Sequence, residues 1–133
     1  MTKFKNCFTS MSEMYRYEIL SPVDLPHFGI KKGDKLADAH IQSAKDKQAI
    51  EQKAFEMEIK NGEMIIRPKG SVNLRNATIL HSLDSWEFSE KITEEAINDL
   101  DQTLAIILHE AIAEKEAEVE AKAKENEKNL FQR

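Results

Sequence analysis

One cysteine, Cys7, stands in 133 residues, so no internal disulfide can brace this chain. That fits a reducing compartment. Glycine and proline are scarce too, with four and three copies, and Gly29, Gly33, Gly62 and Gly70 are too scattered to build a phosphate-cradling loop. The charge is not basic: the formal net value is -5, which argues against nucleic acid as the main partner, since phosphate recognition needs a concentrated cationic face. No window approaches the roughly 20 apolar residues of a membrane span. The first twenty residues lack the apolar run and small-residue cleavage site of a signal peptide. These readings place the chain in the cytoplasm, or in a virion that carries it elsewhere.

Catalytic signatures are also missing. His27, His40, His81 and His109 are dispersed, and His109-Glu110 starts like a zinc-protease motif but has Ala113 where the second ligand must stand. No metal site, cofactor or catalytic residue is expected. Cys7 lacks a neighbouring base. The carboxylates are many, but nothing pairs two of them in an apolar pocket that would separate their acidities. A non-enzymatic protein follows.

What is there describes a small α+β domain, with 41% apolar and 32% charged residues. Residues 1–13 form a loose end, with Phe4, Cys7 and Phe8 as the anchors should it dock. Tyr15 to Leu20 alternates as an N-terminal strand, and a Pro/Gly-punctuated loop occupies 21–35. Asp34 in capping position predicts a mostly solvated helix over 36–52, with Leu36, Ala37, Ile41, Ala44 and Ile50 as a thin apolar stripe. Two alternating runs joined by Asn61-Gly62 predict a β-hairpin over 55–68. Its register would set Lys60 against Glu63, Ile59 against Met64, Glu58 against Ile65 and Met57 against Ile66. Phe55, Met57, Ile59, Met64 and Ile66 would then share an apolar, core-facing side. Arg67, Lys69 and Arg75 make the one basic spot, a place to touch an acidic partner.

Ser71 caps a predicted helix over 72–83, with Leu74, Ala77, Thr78 and Leu83 on its inner face and Leu80 close by. Asp84-Ser85 breaks it, and Trp86 and Phe88 follow in a short extended piece. Thr93 caps a helix over 94–100, with Glu94 and Glu95 in the first turn where the helix dipole favours them. Asp101 repeats the signal. From Gln102, the residues Leu104, Ile107, Leu108, Ala111 and Ile112 recur at helical spacing. Trp86, Phe88, Leu104, Leu108 and Ile112 form the expected clasp of the core, and a buried Trp86 would make Trp86→Ala cost about 3–5 kcal/mol.

After Ala113 the character changes: from Glu110 to Lys128, eleven of nineteen residues are charged. The expected division is a core domain over 1–113 and a charged helical extension over 114–133. Glu118–Lys122 and Glu120–Lys124 support the helix at about 0.2–0.5 kcal/mol each, against like-charge pairs such as Glu114–Glu118. Apolar heptads stop at Ile112, so this is no coiled coil. Val119, Leu130 and Phe131 are the candidate contacts of an arm that docks on a neighbour.

One stretch carries a family resemblance. Trp86, Phe88, Ile92-Thr93-Glu94-Glu95, Ile97, Asp99-Leu100 and the paired aliphatics from Leu104 to Ile112 resemble the C-terminal part of small tail assembly proteins of long-tailed bacteriophages. The resemblance covers residues 84–113 and implies a virion-assembly protein or chaperone that binds other phage proteins. The expected function is therefore a protein-interaction subunit of an assembly, structural, chaperone or connector, with other protein subunits or further copies of itself as partners. The alternative is a small acidic regulator or inhibitor of one cellular protein, of antitoxin or anti-defence type.

Overall fold

The computed structural model describes residues 16–68 and 71–131, without the side chains of 54–60, 64–68, 71–73 and 127–131. The chain is α+β. Strands β1 (Arg16–Leu20), β2 (Lys35–His40) and β5 (Leu83–Trp86) form an antiparallel sheet with β2 in the centre. Helix α1 (Ala44–Ala54) leads directly into strands β3 (Phe55–Lys60) and β4 (Glu63–Pro68), a separate two-stranded sheet. Helix α2 (Ser71–Ser82) precedes β5, and the short α3 (Glu94–Asp99) precedes the long α4 (Gln102–Phe131).

The three-stranded sheet is two-faced. Cross-strand partners share a side, so Tyr17 with Ala39 and Ile19 with Ala37, extended by Trp86, make one face. Arg16, Glu18, Asp38, His40 and Ser85 make the other, which is polar. On the apolar side Ile19, Ala37 and Ala39 join Ile79 of α2, Leu83, Ile97 of α3 and Ala105, Leu108 and Ile112 of α4 in one buried cluster. Leu36, beside the register shift at Ile19/Leu20, is buried with them.

The loop at 21–34 continues the β1–β2 pairing. Ser21 and the Gly33–Asp34 segment exchange backbone hydrogen bonds at 2.8 Å, and Leu25 bridges Ile30 around a 3₁₀ turn at Pro26–Phe28. Gly33 takes φ +93°, a conformation that L side chains rarely adopt.

The structure overturns the helix expected over 36–52. Its first third is the central strand β2, and Asp34, instead of capping, accepts from the Lys31 N–H at 2.9 Å. Alanines at 37 and 39 carry helix propensity, but pairing on both edges decides the conformation. The helix begins at Ala44. Ser43 Oγ accepts from the Asp46 N–H at 3.1 Å and the Asp46 carboxylate accepts from the Ser43 N–H at 3.0 Å, a reciprocal capping box. Burial alone would raise the Asp46 carboxyl, but the bonds from Ser43 and the His40 ring bring it below the usual carboxylate range. Ser43→Ala should therefore cost about 1 kcal/mol, read as a lower denaturation midpoint; an unchanged midpoint would deny the cap.

Local signals elsewhere match the structure. The hairpin has the expected register, and Asn61 and Gly62 take φ +55° and +80° as the turn requires. The side of the hairpin that meets the core lies outside the described side chains. Thr93 accepts from the Ala96 N–H at 3.1 Å, and Asp101 accepts from the Thr103 N–H at 2.9 Å. The inner face of α2 is rotated from expectation: Leu74 is 43% exposed, while Ile79 is fully buried beside Ala77 and Thr78. The helix does end ahead of Asp84-Ser85, at Ser82, and these two residues lie within β5, where Ser85 pairs with Asp38 of β2.

Candidate functional site

An open groove of about 770 Å³ runs between the sheet end and the α3–α4 corner. Lys35 and Leu36 at the start of β2, Trp86 at the end of β5, Phe88 just beyond it, and Phe28 and Ile30 from the 21–34 loop build one wall. Ala96 and Asp99 of α3, Leu100 and Asp101 of the link that follows, and Leu104 of α4 build the other. Leu36 and Leu104 are buried, whereas Trp86, Phe88 and Leu100 are half-buried and keep part of their apolar surface open. The Trp86 and Phe88 rings lie 5.2 Å apart, and the Trp86 indole N–H donates to the Glu90 carbonyl, which fixes the ring in the wall.

The rim is acidic. Asp34, Glu87, Glu90, Asp99 and Asp101 line the groove with a single cation, Lys35. Lys35 is held by Asp38 at 2.8 Å and Glu87 at 3.8 Å, and the Asp38 hydrogen bond keeps its ammonium above the usual value. Its charge is thus compensated locally, and the groove presents an apolar floor under a negative edge. Such a surface suits an apolar anchor flanked by cations.

A second feature is a set of polar contacts outside the groove. His40 Nδ1 meets the Asp84 carboxylate at 2.8 Å and His40 Nε2 meets Asp46 at 3.1 Å, joining β2, β5 and α1. Gln42 donates its amide to Ser82 Oγ at 2.9 Å and its backbone N–H to Glu116 at 2.8 Å. Lys115 stands 5.8 Å from the centre of the Tyr17 ring. These contacts fasten α4 to the sheet beyond Ala113, the point where the helix was expected to leave the core. The Tyr17 hydroxyl is buried without a hydrogen-bond partner among the described residues; burial, then the Glu116 and Asp84 carboxylates, push its ionisation well above the ordinary tyrosine value.

The expected clasp divides between core and groove. Leu108 and Ile112 are fully buried and Leu104 nearly so, whereas Trp86 and Phe88 are groove walls. Since part of the indole stays open, Trp86→Ala should cost less than the figure for a buried tryptophan. Val119 is half-buried and lines a small cleft with Arg16 and Ile41, so it faces the protein's own body. The side chains of Arg67, Leu130 and Phe131, and all of Lys69 and Cys7, lie outside the described residues. The groove brings together Trp86, Phe88 and Leu104; Leu100, Phe28 and the acidic rim were not assigned to an interaction site from the sequence. Their signal was the run Asp99-Leu100-Asp101, whose leucine is flanked by two carboxylates.

The histidines stay apart: His27 sits edge-on to Phe28 at 5.0 Å, His40 lies among the polar contacts outside the groove, and His81 and His109 are half-buried on α2 and α4. Among the described residues no group of three His, Cys, Asp or Glu could hold a metal ion, and no helix is long and apolar enough to cross a membrane. Burial, then the Arg75 guanidinium, hold the His109 imidazole below its ordinary value, with Glu110 opposing. The unfolded chain then binds a proton at higher pH than the native one. Stability should fall as pH drops below the unfolded value of about 6.5. Thermal melts of His109→Gln should lack part of that fall; profiles parallel to the wild type would contradict it.

Comparison with family models, with curated proteins and with solved structures found no match.

Proposed function

We propose that this chain is a non-enzymatic protein-interaction subunit of an assembly, and more narrowly a bacteriophage structural or assembly protein of chaperone or connector type, acting in the cytoplasm or the virion. The acidic-rimmed apolar groove carries the reading. Its floor of leucines and aromatic rings offers area for a protein segment, while its rim selects cationic flanks. The narrower statement draws on the resemblance over 84–113, because Trp86, Phe88, Asp99-Leu100 and Leu104 belong both to that segment and to the groove.

The test is pairwise co-purification with each structural protein encoded beside this chain. One should form a stable complex, and Leu100→Glu, which sets a charge on the groove floor, should abolish it. Absence of any complex, with those proteins or with further copies of this chain, or a complex indifferent to Leu100→Glu, would overturn the assignment.

A further inference from the structure

We infer that the groove receives residues 128–133, the last four of α4 and the two that follow them in sequence, from a second copy of this chain, so that copies join head to tail; this rests on the reading of the groove as a protein-interaction surface. Three observations support it. The groove needs an apolar anchor beside positive charge, and Lys128-Asn129-Leu130-Phe131-Gln132-Arg133 supplies two large apolar residues, two cations and no acidic side chain, on a chain whose net charge is -5. The same helix links both parts: Leu104 lines the groove in its first turn, and α4 is continuous to Phe131. Twenty-six residues separate Leu104 from Leu130, which at 1.5 Å per residue is about 39 Å of rigid rise. The end of a continuous helix cannot turn back to its own groove, so the contact is intermolecular.

The geometry of such a contact is heterologous. The groove and the helix end are different surfaces, so each copy keeps one free surface after pairing, and association runs on to a ring or a filament. Attachment of α4 to the sheet through Glu116 and Gln42 fixes the direction in which the helix projects. A fixed projection lets successive copies repeat one geometry.

Sedimentation of the full chain tests this. The wild type should associate reversibly and form species larger than a dimer at high concentration, and added salt should weaken that association because the rim is exposed. Leu130→Ser with Phe131→Ser should weaken it on the order of tenfold or more, with the circular dichroism spectrum unchanged. Glu90→Lys with Asp99→Lys, both exposed and away from the core cluster, should do the same. Mixing the two defective chains should restore one interface and no more, so the 15.3 kDa mass should double and stop. A mixture that stays monomeric, or a tail-defective chain that associates like the wild type, would overturn the inference. A wild type that stays monomeric yet binds another protein in a Leu100-dependent way would overturn head-to-tail pairing and leave the interaction-subunit reading standing. Absence of both would remove the two together.

Discussion

Leu108→Ala should destabilise the fold by about 2–5 kcal/mol. Leu108 is completely buried, one turn from the equally buried Ile112, in the cluster that joins α4 to the sheet. Cutting it back to Ala removes the burial energy of three carbons. It also leaves a void that Ile79, Ile97 and the sheet alanines can only partly fill, because their backbones are held by helices and strand pairing. Urea denaturation should show a lower midpoint with little change in slope. A loss below about 1 kcal/mol would mean that the site collapses freely or that α4 does not pack as described.

Ala39→Leu should destabilise by about 1–3 kcal/mol, for the opposite reason. Ala39 is fully buried on the central strand, paired with Tyr17 on one side and Leu83 on the other. Three further carbons must enter a space already filled by neighbours from both strands and the helices of the core. The comparison is Ala121→Leu on the exposed side of α4, where no packing opposes the larger residue and helix propensity changes little. Thermal melts should separate the two substitutions clearly. Equal melting temperatures would contradict the close approach of helix and sheet that the alanines permit.

These two residues also show what the sequence reveals and what it hides. Leu108 was legible because its neighbours recur at helical spacing over two full turns. Ala39 was not, because Lys35–His40 has no β-branched residue and follows a glycine and an aspartate that resemble a helix start. Its strand conformation comes from β1 and β5, one fifteen or more residues before it and the other more than forty after it. Turn and cap chemistry reads locally, so Asn61-Gly62 gave the hairpin register and Thr93 and Asp101 gave two helix starts. The capping box at Ser43-Ala44-Lys45-Asp46 has an equally local pattern, and it places the start of α1 correctly once Asp34 is set aside.

The groove was legible only in part. Trp86, Phe88 and Leu104 stand out as large apolar residues, and the sequence assigns them to the core. Whether an aromatic ring finishes inside a core or along a groove depends on what covers it, and that is a non-local matter. Phe28 and Ile30 reach the groove only because the 21–34 loop folds back along β1 and β2. The acidic rim gathers carboxylates from positions 34 to 101, which no local pattern could unite.

The extent of the α4 arm follows the same logic. Charge density alone suggests that the helix leaves the core after Ala113, but Glu116 accepts the Gln42 N–H and Lys115 lies over Tyr17. Solvated i,i+4 pairing takes over further along, at Glu118–Lys122 and Glu120–Lys124, with separations of 3.6 and 3.3 Å. A truncation meant to remove the arm and spare the fold should therefore begin after Glu120.

The claim that the groove is a protein interface is tested most directly by photo-crosslinking from within it. A photoreactive phenylalanine analogue at position 88 would replace one aromatic ring by another in the groove wall, and the same analogue at position 18, on the polar face of the sheet, serves as the reference. Crosslinking from position 88 should give one discrete protein adduct, with the joined residue lying beside an apolar anchor and a Lys or Arg. An absence of adducts from position 88, or the same pattern from positions 88 and 18, would contradict the account.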